Sequence, residues 1–289
     1  MDNNKIRTAF ESGALFHAMA AHNPLIARLA QQAGFNGIWA SGFEISAAAG
    51  VPDASIISLS HHLDITRAMA AAIDIPVIAD IDTGYGNAIN VMHVVRDYHR
   101  AGAAAVVMED KHFPKDTSLL AGGRQELVSI EQFIGKIEAA KAAVAGSNLL
   151  LFARTEALIA GQGQDEALRR AQAYAAAGAD AIVIHSKSKT PDEVLAFVRA
   201  WTGKVPLVLI PTAYPDLTEA MIAELKKVGV VIYGNHAVRA IVTALQDVFG
   251  QIRADGGIHN VDKKIVSVEQ IFELQGVAAM KAAEKKYLR

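Results

Sequence analysis

Apolar runs recur along the chain, and several of them stop on a polar residue. IPVIADID reaches Asp80 and Asp82, AAVVMED reaches Glu109, LLLFAR reaches Arg154 and AIVIHS reaches His185. Four segments repeat one plan: AQQAGFNGIWASG (30–42), YHRAGAAAVVMED (98–110), AYAAAGADAIVIHS (173–186) and LKKVGVVIYGN (225–235). In each, a helical pattern stops, a glycine supplies the left-handed cap, a β-rich run follows and a polar residue closes it. The β-rich runs are apolar on both faces, as in parallel strands covered by helices. LFHAMA (15–20), IPVIAD (75–80), LLLFAR (149–154) and PLVLIP (206–211) read as further strands. About eight strands alternating with helices predict an α/β fold, the closed (β/α)8 TIM-type barrel. The rival is an open doubly wound sheet, but no glycine-rich dinucleotide turn follows the first strand. No low-complexity linker interrupts the chain, so residues 1–289 read as a single αβ-barrel domain.

Two segments break the rhythm. Residues 111–129, KHFPKDTSLLAGGRQELVS, are polar, carry Pro114 and the Gly122–Gly123 pair, and follow the fourth strand. At the catalytic end of a barrel such a segment reads as a gating loop. Residues 251–289 lie beyond the eighth repeat. Their last part, about 265–289, has apolar residues at helical spacing, and a terminal amphipathic helix packs either on its own barrel or on another subunit.

Bulk composition narrows the function without choosing it. The chain of 289 residues is 52% hydrophobic and 20% charged, which suits one large core. A formal charge of -2 gives no electrostatic footprint for a nucleic-acid partner. No apolar run approaches the roughly 20 residues that span a bilayer, so no membrane partner is expected. The absence of cysteine excludes disulfides and thiolate catalysis and agrees with a cytoplasmic setting. The polar N-terminus shows no apolar signal core.

The polar strand ends supply the chemistry. Asp80 and Asp82, two apart on an extended run, point the same way, and paired carboxylates repel unless a cation lies between them. Oxygen donors of this kind suit Mg²⁺ or Mn²⁺; the competing reading is a loop or helix cap. Glu109, ending the next strand, strengthens the metal reading. Asp110 must face the other way and reads as structural. Arg154 ends an otherwise apolar strand and needs an anion, either a bidentate ligand or a structural partner such as Glu156. His185 ends a strand at the same mouth. Ser41, Gly42 and Phe43 could bring backbone N–H groups to an anion, or simply form a βα turn. Lys115, Thr117 and Ser118 could close over a substrate. Asp53, following a proline, reads on pattern alone as a turn residue. His61, His62 and the DEALRRAQAYAAAGAD helix read as solvated or structural.

Together GIWASGFEISAAAGVPD, IPVIADIDTGYGN, VVMEDKHFPK, FART, VIHSKS, VLIPTAY and YGNHAVRA resemble the phosphoenolpyruvate mutase/isocitrate lyase superfamily across nearly the whole chain. The resemblance implies a barrel whose last helix, here 265–289, is exchanged between subunits of a homotetramer, a dimer of helix-swapped dimers. It implies Mg²⁺, replaceable by Mn²⁺ or Co²⁺, with Asp80 as direct ligand. Asp53, Asp82 and Glu109 would hold the metal's waters, which revises the turn reading of Asp53. Trp39, Ser41, Gly42, Phe43, Asp53 and Ser118 would frame the substrate, while Arg154 and His185 would grip its phosphonyl group. Lys115 and Thr117 would act from the gating loop.

Departures from the family pattern narrow the activity. The lyases carry a Lys-Cys-Gly-His motif in that loop, where this chain reads Lys115-Asp116-Thr117-Ser118 and has no cysteine. The mutases carry asparagine where this chain has Thr117. A threonine there resembles the branch that splits the P–C bond of phosphonopyruvate with water, giving pyruvate and phosphate. The alternatives are isomerisation between phosphonopyruvate and phosphoenolpyruvate, C–C hydrolysis of oxaloacetate, and a silent binder of small dicarboxylates.

Overall fold

The computed structural model describes residues 4–118, 120 and 122–289. Within the gating-loop span 111–129, Leu119 and Ala121 therefore lie outside the described residues. Eight strands form a closed parallel barrel in chain order: β1 (Phe16–Ala21), β2 (Gly37–Ala40), β3 (Val77–Asp80), β4 (Ala105–Glu109), β5 (Leu150–Thr155), β6 (Ala181–Ile184), β7 (Leu207–Leu209) and β8 (Val228–Tyr233). The barrel closes where Phe16 lies beside Val230 and Met19 beside Tyr233. This is the (β/α)8 architecture read from the repeating runs.

Period-two alternation divides each strand between two cores. Phe16, Ala18 and Ala20 of β1, Ile78 of β3, Val107 of β4, Phe152 of β5, Val183 of β6 and Val230 of β8 pack together. Ile6, from the helix Lys5–Ser12, belongs to the same cluster, and the Phe10 ring stands 6.1 Å from that of Phe152. The intervening residues, among them Ala79, Val106, Met108, Leu151 and Ile182, pack in the second, larger cluster with the helices. Adding two to an interior position gives the next interior position. Ile78 leads to Asp80, Val107 to Glu109, Phe152 to Arg154 and Val183 to His185. Asp110 has the opposite parity. Its carboxylate accepts from Arg170 Nη1 at 3.0 Å, the Tyr174 hydroxyl at 2.7 Å and the Glu156 amide at 2.9 Å, all outside the barrel.

Three local expectations are corrected. Gly34, Gly102 and Gly178 have the left-handed backbone required after their helices, but Gly229 does not cap a helix. It lies inside β8, where a Cβ would come within 2.8 Å of the Phe10 ring, and Lys226 makes the left-handed turn instead (φ 53°). Asp82 is not a strand residue. β3 ends at Asp80 and the chain turns through Asp82 itself at φ 48°, so the two acids meet through a turn and not through strand alternation. The 265–289 stretch forms two helices, Val268–Gln275 and Val277–Tyr287, because Gly276 at φ 76° ends the first with a left-handed cap.

The barrel unit extends to Ala237, and Val238–Arg289 form a second compact unit. In that unit Val242, Leu245 and Phe249 share one face of the helix His236–Asp255, and all three are exposed. Val268, Phe272 and Met280 are exposed on the two last helices. No helix among the described residues is long and apolar enough to cross a membrane.

Candidate active site

A polar cavity of about 80 Å³ opens at the C-terminal ends of the strands. Trp39, Ser41, Phe43, Asp53, Asp80, Lys115, Thr117, Ser118, Arg154 and His185 line it. Ile210, Thr212, Gly234 and Asn235, which carried no predicted role, complete the wall after β7 and β8. A larger groove of about 1000 Å³ lies at the opposite end, near Leu15, Pro206 and Val228, and no carboxylate lines it. Asp80, Arg154 and His185, singled out at the strand ends, line the smaller cavity.

The acids are brought together by strand ends and a close backbone approach. A Cβ placed on Gly42 would lie 3.2 Å from Asp82 Oδ1 and 3.3 Å from Asp80 Oδ2. Glycine lets the turn after β2 press against both carboxylates. Asp80 Oδ1 accepts from the Asp82 amide at 3.2 Å. From the loop, Lys115 Nζ reaches 2.7 Å from Asp82 Oδ1, 3.2 Å from Asp53 Oδ1 and 3.9 Å from Glu109 Oε1. The Lys115 amide donates to Ser55 Oγ at 3.2 Å, which holds the loop against the segment carrying Asp53.

The second half of the site is the Arg154–His185 pair. Arg154 is the strand neighbour of Glu109 in the β4–β5 ladder, and its Nε lies 3.6 Å from Glu109 Oε2. The same Nε meets Glu156 Oε1 at 2.5 Å, so the structural partner weighed for Arg154 is real. Its Nη2 turns toward the cavity, 2.9 Å from Ser118 Oγ and 3.0 Å from His185 Nδ1. A guanidinium can only donate, so Nδ1 accepts and the ring proton resides on Nε2. Burial and then Arg154 push the His185 imidazole down to about 3. His185 is thus a neutral donor at ordinary pH.

Burial also sets the acids. It raises Asp82 to about 6, with Lys115 pulling against it, and it raises Asp80 and Glu109 as well. Burial works against the charge of Lys115, yet Asp82, Glu109 and Asp53 hold its ammonium well above the usual lysine range. Among the described residues no ready-made cage of three or more metal-ligating groups exists. Nevertheless the donor set fits a hard divalent cation. The carboxylates of Asp53, Asp82 and Glu109 surround one ammonium with Asp80 close by, Glu109 Oε1 is buried without a hydrogen-bond partner, and every donor is oxygen.

Lys111 carried no predicted role, and Glu156 was weighed only as a partner for Arg154. Lys111 Nζ donates to the Asp116 carbonyl at 2.9 Å and Ser118 Oγ at 2.8 Å, and lies 3.1 Å from Glu156 Oε2. Ser118 Oγ donates to Glu156 Oε2 at 2.6 Å. The readable signal was parity: Lys111 is two residues beyond Glu109, and Glu156 two beyond Arg154. His62 and the helix Gly163–Ala176 are structural, as read. His62 Nδ1 is 2.7 Å from the Tyr98 hydroxyl, and Arg170 of that helix pairs with Asp110.

The chain is similar to known proteins along nearly its whole length. The family model described as phosphoenolpyruvate phosphomutase matches residues 7–253. The chain is 64% identical over 287 residues to a phosphonopyruvate hydrolase of Variovorax sp. (strain Pal2), covering 99% of both chains. It is 42% identical to a phosphoenolpyruvate phosphomutase of Tetrahymena pyriformis, covering 98% of this chain and 94% of that one. The crystal structure of a phosphonopyruvate hydrolase complex with oxalate and Mg²⁺ superposes with a TM-score of 0.95 at 63% identity, covering 99% of each chain.

Proposed function

Because the chain belongs to the phosphoenolpyruvate phosphomutase family, within the phosphoenolpyruvate mutase/isocitrate lyase superfamily, we propose that it hydrolyses the P–C bond of phosphonopyruvate in a Mg²⁺-dependent reaction. The observation that carries this reading is the hydroxyl-bearing Thr117, which lines the same cavity as Lys115, Ser118, Arg154 and His185. The 64% identity with a hydrolase, against 42% with a mutase, supports the same choice.

The residues divide the work. Asp80 would hold the metal directly, and Asp53, Asp82 and Glu109 would hold its waters. When bound, a divalent ion there supplies Lewis-acid stabilisation of developing enolate charge. The backbone amides of Gly42 and Phe43 face the substrate carboxylate beside Trp39, whereas the Ser41 amide is taken by the Ala21 carbonyl at 3.4 Å. Arg154 donates to phosphonyl oxygens, and His185 donates through Nε2. A loose, metaphosphate-like transfer needs such fixed donors around the phosphoryl oxygens. Thr117 has one proton to donate and two lone pairs to offer, enough to orient one water. Water oxygen bonds to phosphorus as the P–C pair leaves with carbon, and a proton ends on C3 to give pyruvate. The related hydrolase was solved with oxalate, whose paired oxygens resemble those of pyruvate enolate.

Lys115, from the 111–129 gating loop, neutralises three of the acids and shuts the site. The exposed apolar faces of the C-terminal helices support their exchange between subunits of a homotetramer, so that the chain acts as one barrel domain with its last helices serving a neighbour. Light scattering on the full chain tests the tetramer, and cell fractionation tests the expected cytoplasmic location. The deciding experiment for the activity is a ³¹P NMR spectrum after incubation with phosphonopyruvate and Mg²⁺. Inorganic phosphate is expected. Accumulation of phosphoenolpyruvate would instead make the protein a mutase, and an unchanged spectrum would remove the activity altogether.

A further inference from the structure

We propose that Ser118, with Lys111 and Glu156, is the latch that closes the loop and aims Arg154 and His185, and that Ser118 does not bind substrate. This rests on the phosphonopyruvate reading for its consequence, though not for its geometry. A serine hydroxyl has one proton and two lone pairs. The proton goes to Glu156 Oε2 at 2.6 Å. The lone pairs receive Lys111 Nζ at 2.8 Å and Arg154 Nη2 at 2.9 Å. Nothing remains for a ligand, although Ser118 lies on the cavity wall.

The partners are equally committed. Lys111 is 1% exposed, and its three N–H groups meet the Asp116 carbonyl, Ser118 Oγ and Glu156 Oε2. Glu156 is fully buried, its Oε1 taken by Arg154 Nε and its backbone amide by Asp110 Oδ1. Although burial works against its charge, Arg154 and Lys111 hold the Glu156 carboxyl well below the usual carboxylate range. Glu156 belongs to the segment that follows β5, whereas Ser118 belongs to the loop. The Ser118 hydroxyl therefore joins the loop to the guanidinium that orients His185. Closing the loop and assembling the phosphonyl grip become one event, and Thr117, next in the chain, is placed by it. Ser118 is a positioning residue in this scheme.

The test compares Ser118→Ala and Ser118→Thr with the unaltered chain. Removing the hydroxyl leaves buried charged donors and an acceptor each one bond short, a loss that corresponds to about 10- to 100-fold in kcat/KM. Ser118→Ala is expected to show that drop, with faster hydrogen exchange across residues 112–118 and unchanged exchange in the barrel strands. The ¹⁵N signals of His185, assigned through His185→Gln, should move from a pure Nε2–H form toward a tautomer mixture. Ser118→Thr, which keeps the hydroxyl, should restore all three. If Ser118→Ala hydrolyses slowly while loop exchange and the His185 signals stay as in the unaltered chain, Ser118 touches substrate and the latch is wrong. Should Ser118→Ala fail to fold, Glu156→Gln is read by the same exchange and NMR measurements, and unchanged values there also overturn the latch. The exchange and NMR results do not involve phosphonopyruvate, so they stand even if that substrate is refused.

Discussion

Lys115 Nζ lies 2.7 Å from Oδ1 of Asp82, so the segment after β4 reaches back onto the carboxylate that follows β3. The loop thereby contributes a positive charge to the place where a divalent cation is needed. Two cations sharing one set of acids repel each other. Lys115→Met is therefore expected to bind Mg²⁺ more tightly, about tenfold by calorimetry, while losing most of its turnover because the loop has lost its grip on the acids. Weaker Mg²⁺ binding by the variant would mean that Lys115 organises the acids for the metal and does not compete with it.

Asp80 differs from the other acids. It ends β3 with interior parity, and no ion pair joins it to Lys115, which approaches Asp53, Asp82 and Glu109. In the proposed scheme it is the carboxylate that meets the metal directly. Asp80→Asn should lower Mg²⁺ affinity at least about 100-fold and abolish hydrolysis, because no other donor replaces a direct ligand on a hard ion. Glu109→Gln, which touches the metal only through water in this scheme, should lose about 10- to 100-fold. Equal calorimetric losses for the two variants would contradict the division between direct and water-mediated ligands.

In the proposed reaction Thr117 governs where the phosphoryl group goes. Its hydroxyl can orient water, whereas an asparagine amide is longer and reaches the phosphoryl oxygens. Thr117→Ala should slow phosphate release about 10- to 1000-fold by loss of a positioned nucleophile. Thr117→Asn should shift part of the product to phosphoenolpyruvate. Both are read from ³¹P product ratios, and a Thr117→Ala enzyme that releases phosphate at the original rate would remove Thr117 from the chemistry.

The barrel and half of its site were legible because both follow from one periodicity. Asp80, Glu109, Arg154 and His185 each continue the interior row of a strand buried on both faces, and Asp110 breaks from that row as its parity requires. Asp82 was placed for the wrong reason, since a left-handed turn and not strand alternation brings it to Asp80. Asp53 was unreadable from its surroundings because its partner, Lys115, comes from a loop far along the chain. Lys111 looked like one more polar loop residue, and only its convergence on Ser118 and Glu156 separates it from the solvated lysines. Gly229 misled because a glycine that makes room for Phe10 looks the same in sequence as one that caps a helix.

His62 links the fold to pH. It is 2% exposed, and its Nδ1 lies 2.7 Å from the Tyr98 hydroxyl. Burial pushes its imidazole from 6.5 down to about 4. Below about 6.5 the unfolded chain therefore takes up a proton that the native protein refuses. Linkage then makes native stability fall as the pH drops from about 6.5 to about 4, by roughly 1.4 kcal/mol per unit and about 3 kcal/mol in all. Asp82 works in the opposite sense, because burial raises it to about 6 and the native form there holds the extra proton. Comparing the unaltered chain with His62→Gln cancels that opposing contribution, since both proteins carry Asp82. Urea unfolding at a series of pH values should show the unaltered chain losing stability relative to His62→Gln only between about 6.5 and 4. A difference that stays flat over that range would mean that His62 protonates freely in the native protein and that its contact with Tyr98 does not depend on a neutral ring.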